Sequence, residues 1–237
     1  MIKFNTLFEQ SIPFKWQQAL LAVGIYFIGY LFIIPEITGL VFVLGLINEN
    51  TVYLFNGGLI GIILVLIIFT MHTLSQENTE QWRRTKQIQE ILRHMLYLYL
   101  TLLAVNFLLG FVTEQLTSEN QAIIMEAFKQ APLYIVFVAV VFAPIVEEIL
   151  FRGIIYRSLR YFKLKWIAVL VSSVSFGLIH VYDSWFNARY EDLWFIFVYM
   201  AIGLFLTLIY EKSGDILSPI LLHMLYNAVA VLALFLI

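Results

Sequence analysis

Apolar residues dominate the chain in seven long runs that short polar segments separate. The runs cover residues 19–35, 52–72, 95–113, 132–151, 166–182, 193–210 and 216–237. A helix of about 20 apolar residues crosses the hydrocarbon core of a bilayer. These runs are continuous, whereas the strands of a membrane barrel alternate apolar and polar residues over about ten positions. The pattern therefore predicts an all-α, polytopic membrane helix bundle with about seven transmembrane helices.

Composition supports the same class. Of the 237 residues, 62% are hydrophobic and 13% are charged, whereas about 25% of the residues of a soluble domain are charged. This composition excludes a soluble enzyme and a nucleic-acid-binding protein, and the lipid bilayer is the first expected partner. The chain contains no cysteine, which excludes disulfides and a cysteine nucleophile. No domain boundary is visible, so residues 1–237 are predicted to form one integral-membrane domain, and no oligomeric state is predicted.

The segments around the apolar runs refine this prediction. The run 19–35 is long for the core of a signal peptide and no small-residue cleavage site follows it, so we expect a retained first span. The short apolar stretch 38–47 is expected to lie in a connection or to extend a neighbouring helix. Segment 76–92 mixes Glu, Gln, Lys and Arg, which predicts a polar cytoplasmic helix that leads into the third span.

Basic residues are distributed unevenly between the segments that join the spans. If the N-terminus is cytoplasmic, Lys129 and Arg189 lie outside and the other 12 Lys and Arg residues lie inside. Those 12 are Lys3, Lys15, Arg83, Arg84, Lys86, Arg93, Arg152, Arg157, Arg160, Lys163, Lys165 and Lys212. Because Lys and Arg accumulate in cytoplasmic loops, this division predicts a cytoplasmic N-terminus and an external C-terminus, in the plasma membrane.

Two adjacent glutamates lie inside the fourth apolar run. A charge at membrane depth costs about 2.5–3.5 kcal/mol on insertion scales, so Glu147 and Glu148 require an explanation. On a helix, Glu148 and Arg152 share a face and can pair, whereas Glu147 points about 100° away and remains a free carboxylate. The alternative is that both glutamates mark the interface end of a span beside a basic loop.

Polar residues in two later runs favour a catalytic role for the free glutamate. Phe176 and His180 lie four residues apart in the fifth run, and His223 and Asn227 lie four apart in the seventh. Each pair shares one helix face. A lone intramembrane histidine is more often an interhelical hydrogen-bonding residue. Carboxylate, imidazole and amide groups together, however, are the groups of water-activating hydrolysis.

These residues resemble the three motifs of the CAAX-protease and bacteriocin-processing (CPBP or Abi) family of intramembrane proteases, which includes the type II CAAX prenyl endopeptidases. The motifs are Glu147-Glu148-x3-Arg152, Phe176-x3-His180 and His223-x3-Asn227. All three occur in order on successive apolar runs, which makes the match specific. The resemblance covers residues 131–237, the expected catalytic core. Residues 1–130, the N-terminal spans and the polar helix, carry no recognised motif.

The resemblance implies an intramembrane endopeptidase in which seven or eight helices surround a catalytic cavity. It implies that Glu147 activates water with the help of His180, while His223 and Asn227 stabilise the oxyanion. The remaining motif residues are expected to support the site: Glu148, Arg152 and Phe176. The expected substrate is a peptide or protein that reaches the site from the membrane, and a prenylated tail, a peptide leader and a membrane-protein tail all remain open.

The role of metal is left open by the residues themselves. Many members of the family are labelled metalloproteases, and Glu147, His180 and His223 could form a three-ligand Zn²⁺ site with an open fourth position. We prefer a reaction without a metal cofactor, because Asn227 suits an oxyanion donor better than a zinc ligand. The non-enzymatic alternatives are a membrane scaffold or immunity protein and a transporter with a proton relay.

The depths of the candidate residues in the membrane differ. Counted from cytoplasmic boundaries near Tyr156 and Lys165, Glu147 lies nine residues deep and His180 lies fifteen residues deep. At 1.5 Å per residue these depths are roughly 14 and 22 Å. The sequence therefore predicts a mismatch of one helical turn or more between two residues that are expected to meet.

Overall fold

The protein is an all-helical bundle. A computed structural model describes residues 6–9, 12–49, 51–72 and 84–236, and these residues contain no strand. The helices are α1 (Trp16–Val43), α2 (Val52–Thr70), α3 (Arg84–Leu109), α4 (Glu119–Gln130), α5 (Pro132–Tyr161), α6 (Lys165–Phe186), α7 (Ile196–Ser213) and α8 (Leu217–Leu234). The predicted fold class is confirmed.

Seven of these helices are long and apolar enough to cross a membrane, namely all except α4. The protein is therefore an integral membrane protein, and the predicted number of spans is confirmed. Helix α4 has 12 residues, none of them buried, and no apolar run predicted it. Ser118 caps its N-terminus by accepting a hydrogen bond from the backbone N–H of Gln121, as short polar residues commonly do.

Several predicted boundaries shift. Helix α1 continues past Pro35 to Val43, so part of the short stretch 38–47 extends the first span. Helix α3 ends at Leu109 rather than at residue 113, because residues 110–112 form a turn. Residues 84–92 of the predicted polar helix form the first part of α3, whereas residues 76–83 lie outside the described residues.

Proline accounts for two wide turns in the spanning helices. A π-helical segment at Ile25–Ile33 precedes Pro35, and another at Phe137–Phe142 precedes Pro144. Proline has no N–H to donate, and its ring displaces the carbonyl four residues earlier. The helix widens N-terminal to the proline and continues, as membrane helices do when local π turns accommodate freed backbone groups. The first predicted run ended at Pro35 because this accommodation is not visible in the sequence.

Helices α6 and α7 pack closely through a glycine. A Cβ atom on Gly203 would lie 3.1 Å from Cα of Ser173 and 3.2 Å from Cβ of Phe176. A residue without a side chain is therefore needed there for the two backbones to approach. This contact fixes the position of the helix that carries Phe176 and His180.

The bundle has two distinct ends. At the basic end, the connections 161–165 and 213–217 join the helices. At the opposite end, called the α4 end, lie α4 and the connection 187–195.

The basic end contains a buried ion-pair network in which Arg160 Nε lies 3.0 Å from Glu211 Oε2 and Tyr156 donates to the same carboxylate. Arg160 also donates to Glu9 at 3.1 Å, and this hydrogen bond holds the pKa of the Glu9 carboxyl below its ordinary value. Phe8 is 1% exposed and packs against this network.

Candidate active site

The predicted pair between Glu148 and Arg152 is present. Arg152 Nη1 donates to Glu148 Oε1 at 2.9 Å, and both side chains are fully buried. Arg152 Nη2 also donates to the backbone carbonyl of Gly203 at 2.8 Å. The guanidinium therefore ties the glutamate helix α5 to α7.

Glu147 is the free carboxylate, as its helical phase predicted. It is 7% exposed, and among the described residues its Oε2 atom has no hydrogen-bond partner. This oxygen lies 4.0 Å from Nε2 of His223. Glu147 thus has a buried carboxylate oxygen without a hydrogen-bond partner beside an imidazole, an arrangement that is costly for a charged group.

His223 is held by the other glutamate. Its Nδ1 atom lies 2.9 Å from Glu148 Oε1. A carboxylate only accepts hydrogen bonds, so Nδ1 carries a proton, and Nε2 is the nitrogen that is directed toward Glu147. Sequence analysis assigned Glu148 to Arg152 alone, whereas the structure shows that the same carboxylate also orients a candidate catalytic histidine.

His180 is fixed by its own helix and by an aromatic neighbour. Its Nδ1 atom lies 2.8 Å from the carbonyl oxygen of Phe176, which only accepts, so Nδ1 is the donor and the neutral ring has its lone pair on Nε2. The ring stacks on Tyr199 with the ring centroids 4.3 Å apart and the planes 20° apart. His180 is therefore a rigid imidazole with an accepting nitrogen.

Phe176 connects these groups. The Arg152 guanidinium lies 4.7 Å from the centroid of its ring, at cation–π distance. Its ring centroid lies 4.6 Å from that of His180 and 5.6 Å from that of His223. Phe176 therefore packs against the Arg152 guanidinium and against both histidine rings at once.

Asn227 binds the wide turn of α5. Its Nδ2 atom donates to the carbonyl oxygen of Ala139 at 2.7 Å, and Ala139 lies in the π-helical segment before Pro144. This bond uses one of the two N–H groups of the amide. The second N–H is the group that the predicted oxyanion role requires.

All four candidate catalytic residues line one cavity of about 320 Å³. They are Glu147, His180, His223 and Asn227, and Phe176 lines it with them. The volume lies within the usual range of small-molecule and peptide subsites, about 300–1,000 Å³. Glu148 and Arg152 lie behind this wall, so the structure separates residues that face the cavity from residues that support them.

The predicted depth mismatch disappears because α5 is longer than its apolar run. Helix α5 ends at Tyr161 rather than near Tyr156, so Glu147 lies 14 residues from the basic end of its helix. His180 lies 15 residues from the start of α6 at Lys165. At 1.5 Å per residue the two depths agree to about 2 Å.

Sequence analysis missed several residues of the cavity wall. Five tyrosines line it, namely Tyr26, Tyr30, Tyr182, Tyr199 and Tyr226, and so do Asn120 and Gln121 of α4. The tyrosines lie within or next to apolar runs and carry no motif, so they are indistinguishable from lipid-facing aromatics. A signal for α4 did exist: Ser118 as an N-cap and Pro132 as the first residue of the next helix bracket it.

The three residues of the zinc alternative do not form a metal site in this arrangement. Within the described part of the chain, no group of three His, Asp or Glu side chains is placed so that it could hold a metal ion. Nδ1 of His223 is bound to Glu148 and Nδ1 of His180 to a carbonyl. Each histidine therefore has Nε2 as its remaining nitrogen, the atom through which it would ligate a metal.

Similarity to known proteins agrees with this site. Residues 129–229 match the family "Type II CAAX prenyl endopeptidase Rce1-like", and this range contains every motif residue. A protein of Bacillus subtilis (strain 168) named "Putative membrane peptidase YdiL" is 30% identical over 115 residues, which are 48% of this chain and 43% of that protein. No solved structure matches the chain.

The fold and the site define a membrane protein whose motif residues surround a buried cavity. The family match agrees with the resemblance that the three motifs indicated: residues 129–229 of the chain are similar to the CAAX-protease family of membrane proteases. The aligned region spans less than half the length of the Bacillus relative.

Proposed function

We propose that the protein is an intramembrane endopeptidase that hydrolyses a peptide bond of a membrane-associated or lipidated substrate with water activated by Glu147. The observation that carries the proposal is the carboxylate oxygen of Glu147. It lacks a hydrogen-bond partner among the described residues and faces a cavity beside two oriented histidines. A buried carboxylate without a partner is costly, which favours a functional role for it.

In the first step, water attacks the carbonyl carbon of the peptide bond. Glu147 takes one proton of this water, and the accepting Nε2 atom of His180 orients the water by a hydrogen bond. A C–O bond forms, and the carbonyl oxygen becomes an oxyanion. Proton transfer of this kind contributes about 10²–10⁴-fold to the rate.

His223 and Asn227 stabilise the oxyanion in this proposal. The second N–H of the Asn227 amide is one donor. Nε2 of His223 is the second donor when it carries a proton. The contact between His223 and Glu148 supports this role, because the carboxylate 2.9 Å from Nδ1 fixes the orientation of the ring.

In the last step, the tetrahedral intermediate collapses. The C–N bond breaks, and the leaving amine takes the proton that Glu147 removed from water. The products are a new carboxyl terminus and a new amino terminus, and Glu147 returns to its ionised form. The proton count closes without a cofactor.

The proposed setting is the plasma membrane, with the N-terminus in the cytoplasm and the substrate delivered from the bilayer. The Lys and Arg distribution supports this orientation. Five of the seven apolar helices line the cavity, which supports delivery within the membrane. Substrates with a prenyl group, peptide leaders and membrane-protein tails all fit this setting.

The test compares membranes of cells that carry the wild-type protein, Glu147→Gln or Glu126→Gln. Glu126 is a matched control, because its side chain is 63% exposed and pairs only with Lys129 in the interactions found for it. We expect the same new peptide termini with wild type and Glu126→Gln, and accumulated precursors with Glu147→Gln at equal protein level. Identical termini in all three samples would instead favour a scaffold or immunity protein.

A further inference from the structure

The cavity is not centred in the bundle but extends toward the α4 end. His180 lies six residues before the end of α6 at Phe186, and Tyr199 lies three residues after the start of α7. Asn227 lies seven residues before the end of α8 at Leu234. All three helix termini belong to the α4 end, so the wall of the cavity beyond Glu147 is built from the half of the bundle near α4.

The opposite half is closed by buried polar residues. Directly behind Glu147, Glu148 and Arg152 are fully buried. One to two turns farther, Tyr156 and Arg160 are also fully buried and bind Glu211. Side chains at the density of a protein interior leave no path for a polypeptide. The basic end therefore does not provide access to Glu147.

Helix α4 forms the mouth of the cavity. Asn120 and Gln121 line the cavity from its first turn. Two hydrogen bonds reach the hydroxyl of Tyr199, one between Ser118 Oγ and this hydroxyl at 2.6 Å and one from Asn120 Nδ2 at 3.2 Å. The same tyrosine stacks on His180. Tyr199 therefore contacts both α4 at the mouth and the candidate catalytic histidine.

The charges of the wall restrict the substrate. In the described part of the chain, Glu147 is the one carboxylate among the lining residues, and they include no Lys or Arg. A peptide that ended in a free carboxylate near the site would lie beside Glu147 with no Lys or Arg to balance it, which is unfavourable at low dielectric. Tyrosine hydroxyls and aliphatic side chains instead suit a neutral internal segment.

We propose that the substrate is an internal, uncharged segment of a polypeptide that enters under α4 from the non-cytoplasmic side of the membrane. The proposal rests on the proposed function for the cleavage itself. The location of the mouth follows from the structure, and the side of the membrane follows from the Lys and Arg distribution, which places the basic end in the cytoplasm. The substrate class is therefore an exported or membrane-anchored polypeptide rather than a cytoplasmic carboxyl-terminal tail.

The natural absence of cysteine allows a direct test by thiol labelling. Single cysteines are introduced as Gln121→Cys at the mouth, Ala230→Cys inside the cavity and Lys163→Cys at the basic end. Leu225→Cys is a control, because Leu225 is 36% exposed near the middle of α8 and does not line the cavity, so lipid excludes a charged reagent there. Intact cells are treated with a charged, membrane-impermeant maleimide, before or after permeabilisation.

We expect the mouth and cavity cysteines to react in intact cells, the Lys163→Cys variant to react only after permeabilisation and Leu225→Cys to remain unlabelled. Labelling of Lys163→Cys in intact cells, or of the mouth and cavity cysteines only after permeabilisation, would overturn the proposal. Bulky labelling of Gln121→Cys in intact cells should also stop precursor processing. The labelling pattern does not depend on activity, so it tests the entry route separately from the proposed function. If the Glu147→Gln protein labels normally but precursors are still processed, only the proposed function is contradicted.

Discussion

Oε1 of Glu148 lies 2.9 Å from Nη1 of Arg152 and also 2.9 Å from Nδ1 of His223. One carboxylate oxygen therefore joins the glutamate helix α5 to the histidine helix α8. The ion pair holds this oxygen in place, and the oxygen in turn holds the imidazole. Glu148 thus both forms the buried ion pair with Arg152 and orients the imidazole of His223.

Substitution of Glu148 tests both its contribution to stability and its orientation of His223. Removing one partner of a buried ion pair costs about 3–5 kcal/mol, so Glu148→Gln and Arg152→Met should each lower the thermal unfolding temperature in detergent. Glu148→Gln should also lower kcat per folded molecule, because an amide stabilises an imidazolium less well than a carboxylate does. Full kcat in the folded fraction of Glu148→Gln would show that its contact with His223 has no part in turnover.

The close approach of α6 and α7 gives a second prediction. Gly203→Ala places a Cβ atom 3.1 Å from Cα of Ser173, which forces the helices apart and moves Phe176. We expect a lower unfolding temperature together with a lower kcat. Gly61→Ala is the matched control, since no atom lies within 4 Å of the added Cβ and alanine favours a helix by about 1 kcal/mol over glycine. Equal stability of both variants would contradict the packing argument.

The sequence predicted the spans and the motif residues because both depend on local patterns. Continuous apolar runs mark spans, and four-residue spacing brings Glu148 to Arg152. The contact of Glu148 with His223 joins residues 75 positions apart, and no periodicity encodes such a contact. Tyr199 was missed for a related reason: its role depends on which helix packs against α6. The length of α1 could not be predicted, since Pro35 appeared to end a helix that a π turn allows to continue.

Asn227 separates the metal-free proposal from the zinc alternative. Asn227→Ala should lower kcat far more than it raises KM, since loss of one oxyanion donor costs about 10²–10³ in kcat, and chelation should have little effect. Asn106→Ala is the control for stability, because Asn106 also donates to a helix carbonyl, that of Leu102 at 2.8 Å. Activity that a chelator abolishes and zinc restores, with a mild effect of Asn227→Ala, would support the metal site instead.

The orientation of the bundle gives a fourth prediction. Lys129 and Arg189 are the two of the 14 Lys and Arg residues in segments assigned to the outside, so a reporter fused after Ile237 should be active only if it functions outside the cytoplasm. A second reporter inserted next to Lys163 should have the opposite response. Cytoplasmic activity of the reporter at Ile237 would contradict the assignment of the basic end to the cytoplasm.

The most direct test of the account is single-turnover cleavage by purified protein in lipid vesicles, with a precursor that accumulates in Glu147→Gln membranes as substrate. Wild type should release two peptides, and Glu147→Gln should lose about 10²–10⁴-fold in rate while it unfolds at the wild-type temperature or above. Glu147→Gln that cleaves the precursor at the wild-type rate would contradict the claim that this carboxylate activates water.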